Sequence, residues 1–130
     1  MARGTIYITP LVANAGVAGT TTAIDTSNGH MIISTTGLWR RTIVQVINTG
    51  TGIGTVAIQP GAYPPAFTGG FTGTAAGQGT TYITVASGGT AFITIPSANA
   101  VKSDGVSVYL DESGFGLTGS IYAFELPAAL

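Results

Sequence analysis

Residues 42–66 read TIVQVINTGTGIGTVAIQPGAYPPA, and this stretch decides the fold class. Side chains alternate across a strand, so Val44 and Val46 share one face while Ile43 and Ile47 share the other. Apolar residues on both faces predict a strand in the interior of a sheet. Asn48, Thr49 and the glycines at 50, 52 and 54 predict a tight turn between two paired strands. A second β-rich run follows over residues 53–59, and Pro60, Pro64 and Pro65 then stop it.

The same order of strand, Gly/Thr/Ser turn and strand recurs on both sides. Residues 4–9, GTIYIT, place Ile6 and Ile8 on one face and Tyr7 on the other, and Pro10 ends the run. Residues 11–19 are small and apolar without a period. The expectation is an extended N-terminal arm over residues 1–19, whose strand pairs inside the domain or adds to a neighbour's exposed edge. Strand character returns at residues 21–25 and 30–35, separated by a turn carrying Asn28-Gly29. Residues 60–79 have no periodicity, and a loop of that length in a compact domain is usually functional. Residues 80–86 and 90–96 predict a hairpin around Ser87-Gly88-Gly89. Residues 106–111 alternate, with Val106, Val108 and Leu110 inward, and residues 119–126 form the last strand. Eight or nine short strands without an amphipathic helix predict an all-β fold, a single-domain β-sandwich or jelly roll of antiparallel strands over residues 20–130.

Composition narrows the function classes. Four basic and five acidic residues in a chain of 130 fall far below the usual charged share of about a quarter. The mean hydropathy is positive at +0.45, so the chain is not a disordered one. No window approaches the ~18 apolar residues of a membrane span. The N-terminus lacks the ~7–15-residue apolar core of a secretory signal, which predicts a protein made and kept inside a cell until release. The absence of cysteine excludes disulfides and cysteine-ligated zinc. A net charge of −1 with four basic residues gives nucleic acid little to grip, so no direct nucleic-acid partner is expected. Net charge near zero leaves little self-repulsion and predicts a surface that is covered by partners, copies of the same chain first among them.

Several stretches invite a chemical reading. Residues 48–54, NTGTGIG, resemble a phosphate-cradling loop, yet such a loop must open a helix and here the glycines lead into β-formers. His30 is the lone histidine, and nothing in the sequence places a serine and a carboxylate beside it. Asp104, Asp111 and Glu112 lack the alternating ligands of a calcium loop. Asp111 and Glu125 as a glycosidase pair have no spacing to support them. No catalytic residue, metal ligand set or cofactor is assigned, and the chain is expected not to be an enzyme. Trp39, Arg40 and Arg41 form the basic cluster and hold the single tryptophan, residue types enriched at interface hot spots. Tyr63, Pro64, Pro65, Phe67 and Phe71 combine a stiff backbone with aromatic area, which lowers the ordering cost of docking. With Ile6, Tyr7 and Ile8 of the arm, these residues are the candidate protein–protein contacts.

The runs VINTG (46–50), VAIQPGAYPPAF (56–67), ITVASGGT (83–90), SDG (103–105) and TGSIYAFELP (118–127) are similar to the capsid decoration, or cement, proteins of tailed bacteriophages. The resemblance spans about residues 6–127 and is one of strands and turns. The insert at 68–79 is longer than that pattern has. The resemblance implies a head-stabilising virion protein, β-rich and trimeric, made in the host cytoplasm and bound to the major capsid protein on the outside of an icosahedral shell. The alternatives are a phage tail or fibre subunit, and a carbohydrate-binding β-sandwich with Trp39, Tyr63 and Phe67 as its stacking platform.

Overall fold

In the computed structural model, described here for residues 3–59, 61, 81–95, 100–102 and 105–127, with Arg40 and Thr81 described by backbone alone, nine strands form where the alternation is strongest. They are β1 (Gly4–Pro10), β2 (Thr22–Ala23), β3 (His30–Ile33), β4 (Thr42–Asn48), β5 (Gly54–Ile58), β6 (Thr81–Val85), β7 (Thr90–Thr94), β8 (Ser107–Ser113) and β9 (Gly119–Glu125). One turn of 3-10 helix, Trp39–Arg41, precedes β4, and the described residues contain no α-helix.

The strands run in the order β6-β5-β8-β3-β1-β9-β4-β7, and β1 belongs to both halves of that path. Its Gly4–Tyr7 portion lies parallel to His30–Ile33 of β3, and its Ile8–Pro10 portion lies parallel to Ala123–Glu125 of β9. Two sheets, β6-β5-β8-β3-β1 and β1-β9-β4-β7, therefore face each other and are joined through one strand, giving a nearly closed β-sandwich. Where β1 no longer follows β9, β2 takes its place and pairs with Ser120 and Ile121. Every other pairing is antiparallel.

Of the two alternatives for the strand of residues 4–9, the structure has the pairing inside the domain: it is a central strand, with Ile6 fully buried, and supplies the backbone partners that β3 and β9 would otherwise lack. Two expectations change. The two pairings of this strand are parallel where antiparallel strands were expected. The turns at 49–53 and 86–89 do not close hairpins. β4 pairs with β9 and β7 while β5 pairs with β8 and β6, so each turn carries the chain from one sheet across to the other. The physical reason is in the core-facing residues: Val44 and Val46 of β4 and Val56 and Ile58 of β5 must all meet in the same interior.

That interior holds Ile6, Ile32, Val44, Val46, Val56, Val108, Leu110 and Ile121, all fully buried, with Trp39 closing one part of it. Each such aliphatic side chain stabilises the fold by about 1.5–3 kcal/mol relative to exposure. Val106, expected inward, is partly exposed at the lead into β8. Asn48, fully buried at the end of β4, satisfies the sheet-to-sheet turn. Its Nδ2 donates to the carbonyls of Gly52 (2.8 Å), Ala86 (3.2 Å) and Val85 (3.3 Å), and its Oδ1 accepts from Gly50 N (2.9 Å). Gly50 and Gly52 pass so close to the carbonyls of Gly116 and Phe115 that any Cβ would overlap them. The three turns at this end of the sandwich are thus locked to one another.

Candidate contact surfaces

Among the described residues, the outer face of the β1-β9-β4-β7 sheet carries no charged side chain in its strands. Register places Phe92 beside Gln45 and Gln45 beside Tyr122 in one row, and Thr94, Ile43 and Phe124 in the next. Ile43, Gln45 and Ile47 are half-buried, whereas Phe92 is 67% exposed. The Tyr122 and Phe124 rings stack with centroids 5.9 Å apart and planes 7° from parallel. Part of this face is covered by the chain leading into β2. Gly19 sits against both rings, where a Cβ would approach Phe124 to 2.8 Å, and Thr21 Oγ1 donates to the Tyr122 hydroxyl at 2.9 Å. On the β4-β7 side Phe92 remains exposed.

A second exposed apolar feature lies at the locked end of the sandwich. Phe115, between Gly114 and Gly116, is 99% exposed, and Ile53 on the neighbouring turn is also exposed. Because the turn backbone beneath is fixed by Asn48 and the glycine contacts, Phe115 is an apolar knob on a stiff base.

The charged side chains gather elsewhere. On the outer face of the other sheet, Arg3 Nη1 lies 2.6 Å from Asp111 Oδ1 and donates to the Leu110 carbonyl at 3.0 Å. Gln59 Nε2 donates to Asp111 Oδ2, and Lys102 Nζ donates to Gln59 Oε1 at 3.1 Å. The Arg3 guanidinium and the Lys102 ammonium lie 4.6 and 4.9 Å from the centroid of the Tyr109 ring, a cation–π arrangement. Burial acts to raise the Asp111 pKa, but the hydrogen bonds from Gln59 and Arg3 and the charges of Arg3 and Lys102 outweigh it and hold the carboxyl below its ordinary value. Burial, with the Arg3 charge beside it, lowers Lys102. At the exposed turn before β3, a hydrogen bond from Asn28, then those from the Ser27 and Asn28 amides, lower Asp25.

Inside the sandwich, His30 on β3 and Glu112 on β8 form a buried pair in which His30 Nδ1 meets Glu112 Oε1. Glu112 Oε2 is buried and makes no hydrogen bond to a described residue. This pair lies on the core face and bridges β3 and β8. Among the described residues no group of three or more His, Cys, Asp and Glu side chains is placed to hold a metal ion, and no helix is long and apolar enough to cross a membrane.

The structure disperses the residues picked out in the sequence. Tyr7 is 64% exposed, whereas Ile6 is fully buried and Ile8 packs partly on the core. Trp39, expected at a contact surface, is 4% exposed and packs in the core. Arg41 turns back on its own domain, donating from Nε to the Leu126 carbonyl at 3.1 Å and approaching Glu125 at 3.9 Å. The Arg40 side chain and Tyr63, Pro64, Pro65, Phe67 and Phe71 lie outside the described residues. Phe92, Tyr122, Phe124 and Phe115 were not picked out. The alternation of IYAF in β9 and the isolated Phe in Gly114-Phe115-Gly116 were the signals available for them. No protein-family model, curated protein or solved structure matches this chain.

Proposed function

We propose that the chain is a structural virion protein, a decoration protein that binds the outside of an icosahedral phage head as a homotrimer and stabilises it. One observation carries the reading: the uncharged face built from Ile43, Gln45, Ile47 and Phe92 beside the stacked Tyr122 and Phe124. A sheet face of aromatic and aliphatic residues without charge is suited to being covered, since desolvating it removes no ion from water. The resemblance of residues 6–127 to phage cement proteins supplies the identity of the cover, first a second copy and then the major capsid protein. Weak contacts of each copy multiply when a closed trimer meets a lattice of matching symmetry. Phe115 on its stiff base supports the same reading as a second contact point.

The test is the solution mass by light scattering, followed by co-sedimentation with empty heads assembled from the major capsid protein of the same phage. A trimer that saturates a fixed number of sites on the heads is the expected result. A monomer that stays in the supernatant at every concentration overturns the proposal.

A further inference from the structure

The fork at which β1 leaves β3 for β9 opens a cleft. Tyr7 still pairs with Ile33, but Ile8 already pairs with Ala123, so the chain beyond Ile33 diverges from β1. The resulting cavity is about 280 Å³ and is lined by Tyr7, Ile8, Pro10, Ile33, residues 34–36 and Glu125. That volume lies just below the range of about 300–1,000 Å³ of drug-sized ligand sites and suits a ligand of one ring.

Its walls are of two kinds. Ile8, Pro10 and Ile33 are apolar, and the aromatic Tyr7, 64% exposed, also lines the cleft. The polar residues Ser34, Thr35, Thr36 and Glu125 line it as well, and the Glu125 side chain is only 10% exposed. Ser34, Thr36 and Glu125 are already held by hydrogen bonds. Thr36 Oγ1 donates to Glu125 Oε1 at 2.9 Å, Ser34 Oγ lies 3.3 Å from Thr36 Oγ1, and the Gly37 amide donates to Ser34 Oγ at 3.1 Å. Arg41 Nη2, 3.9 Å from Glu125 Oε1, offsets part of the carboxylate's charge. The cleft therefore does not call for a cation.

We propose that this cleft binds a neutral pyranose sugar, one residue of a glycan, with its apolar ring face against Tyr7 and its vicinal hydroxyls donating to Glu125. A pyranose has the matching pair of surfaces, C–H groups on one face and hydroxyl donors at the edge. A fixed carboxylate accepts two such donors in charge-assisted bonds, which are stronger than neutral ones. The cleft shares no lining residue with the aromatic sheet face or with Phe115, so glycan binding is tested apart from decoration. It also differs from a platform of Trp39, Tyr63 and Phe67, since Trp39 is in the core.

The experiment is saturation-transfer NMR on the full chain with the methyl glycosides of glucose, galactose, mannose and N-acetylglucosamine, with sorbitol and tetramethylammonium as controls. At least one glycoside should give transfer strongest at its ring protons, with neither control doing so. Tyr7→Ala and Glu125→Gln should each weaken its affinity about tenfold, as expected for a lost stacking surface or a lost hydrogen bond to a charged group. Tyr7 is exposed and Glu125→Gln retains an acceptor for Thr36, and unchanged amide spectra would confirm that both variants fold. Transfer to no glycoside overturns the proposal, as does glycoside binding that survives both substitutions or a tetramethylammonium signal that exceeds every glycoside.

Discussion

His30 and Glu112 show how much a single buried pair can matter. Each side chain is nearly or fully buried, so removing one partner strands the other in a medium that solvates it poorly. Glu112→Ala is expected to cost about 3–5 kcal/mol in urea unfolding, the range for breaking a buried pair. The paired change, His30→Leu with Glu112→Leu, should cost less than the two single changes added together, and additivity in that cycle would show the two groups to be independent. Asp111 acts on stability through pH. Its folded pKa is depressed, so the unfolded chain binds a proton more readily and stability rises with pH in this range. The contribution is whole above the unfolded carboxylate value of about 3.9 and is lost as pH falls through the lower folded value. With the side chain 43% exposed, solvent screening limits it to about 1 kcal/mol or less. Asp111→Asn should therefore flatten the acid limb of the unfolding curve and leave a neutral-pH loss no larger than that.

Among the elements, β1 does most to join the molecule. Its two halves give parallel partners to β3 and β9, and Ile6 fills the core between the sheets. Removing residues 1–10 should abolish the dispersed amide spectrum of a folded chain, not release folded protomers from an assembly. Ile6→Ala, which leaves a cavity at a site held from both sides, should lower stability by about 2–5 kcal/mol. A folded chain after the deletion would return residues 1–10 to the status of a detachable arm. The sequence made the strand itself legible through Ile6, Tyr7 and Ile8, because alternation is a local property. Its partners were not legible, because pairing with residues 30–33 and 123–125 depends on contacts far along the chain. The turns after Asn48 and Ala86 show the same limit. Gly-rich residues announce that the chain reverses, but a hairpin and a crossing between sheets use the same residue types. What separates them is Asn48, whose buried amide reaches carbonyls on both turns. Trp39 was misplaced for a related reason: tryptophan fills a core as readily as an interface, and only burial decides which.

At the scale of the whole molecule, two exposed apolar features of the described residues, Phe92 and Phe115, lie in different places and make separable predictions. Phe92 sits on β7, the end strand of the sheet, across Gln45 from Tyr122, while Phe115 stands at the locked end. A trimer closed through the sheet face must desolvate Phe92, and a charge placed there would be buried three times over in one closed ring. Phe92→Lys should therefore convert the trimer to monomer in light scattering while the fold persists, since the side chain is 67% exposed and contributes little to the core. Phe115→Ser should leave the trimer mass unchanged and weaken co-sedimentation with empty heads, because a knob outside the closed ring remains available to the shell. If Phe92→Lys leaves the mass unaltered and Phe115→Ser dissociates the oligomer, the two surfaces have exchanged roles and the end of the sandwich is the self-association site. If neither substitution changes mass or head binding, both surfaces are solvent-facing and the contact that builds the assembly lies elsewhere on the chain.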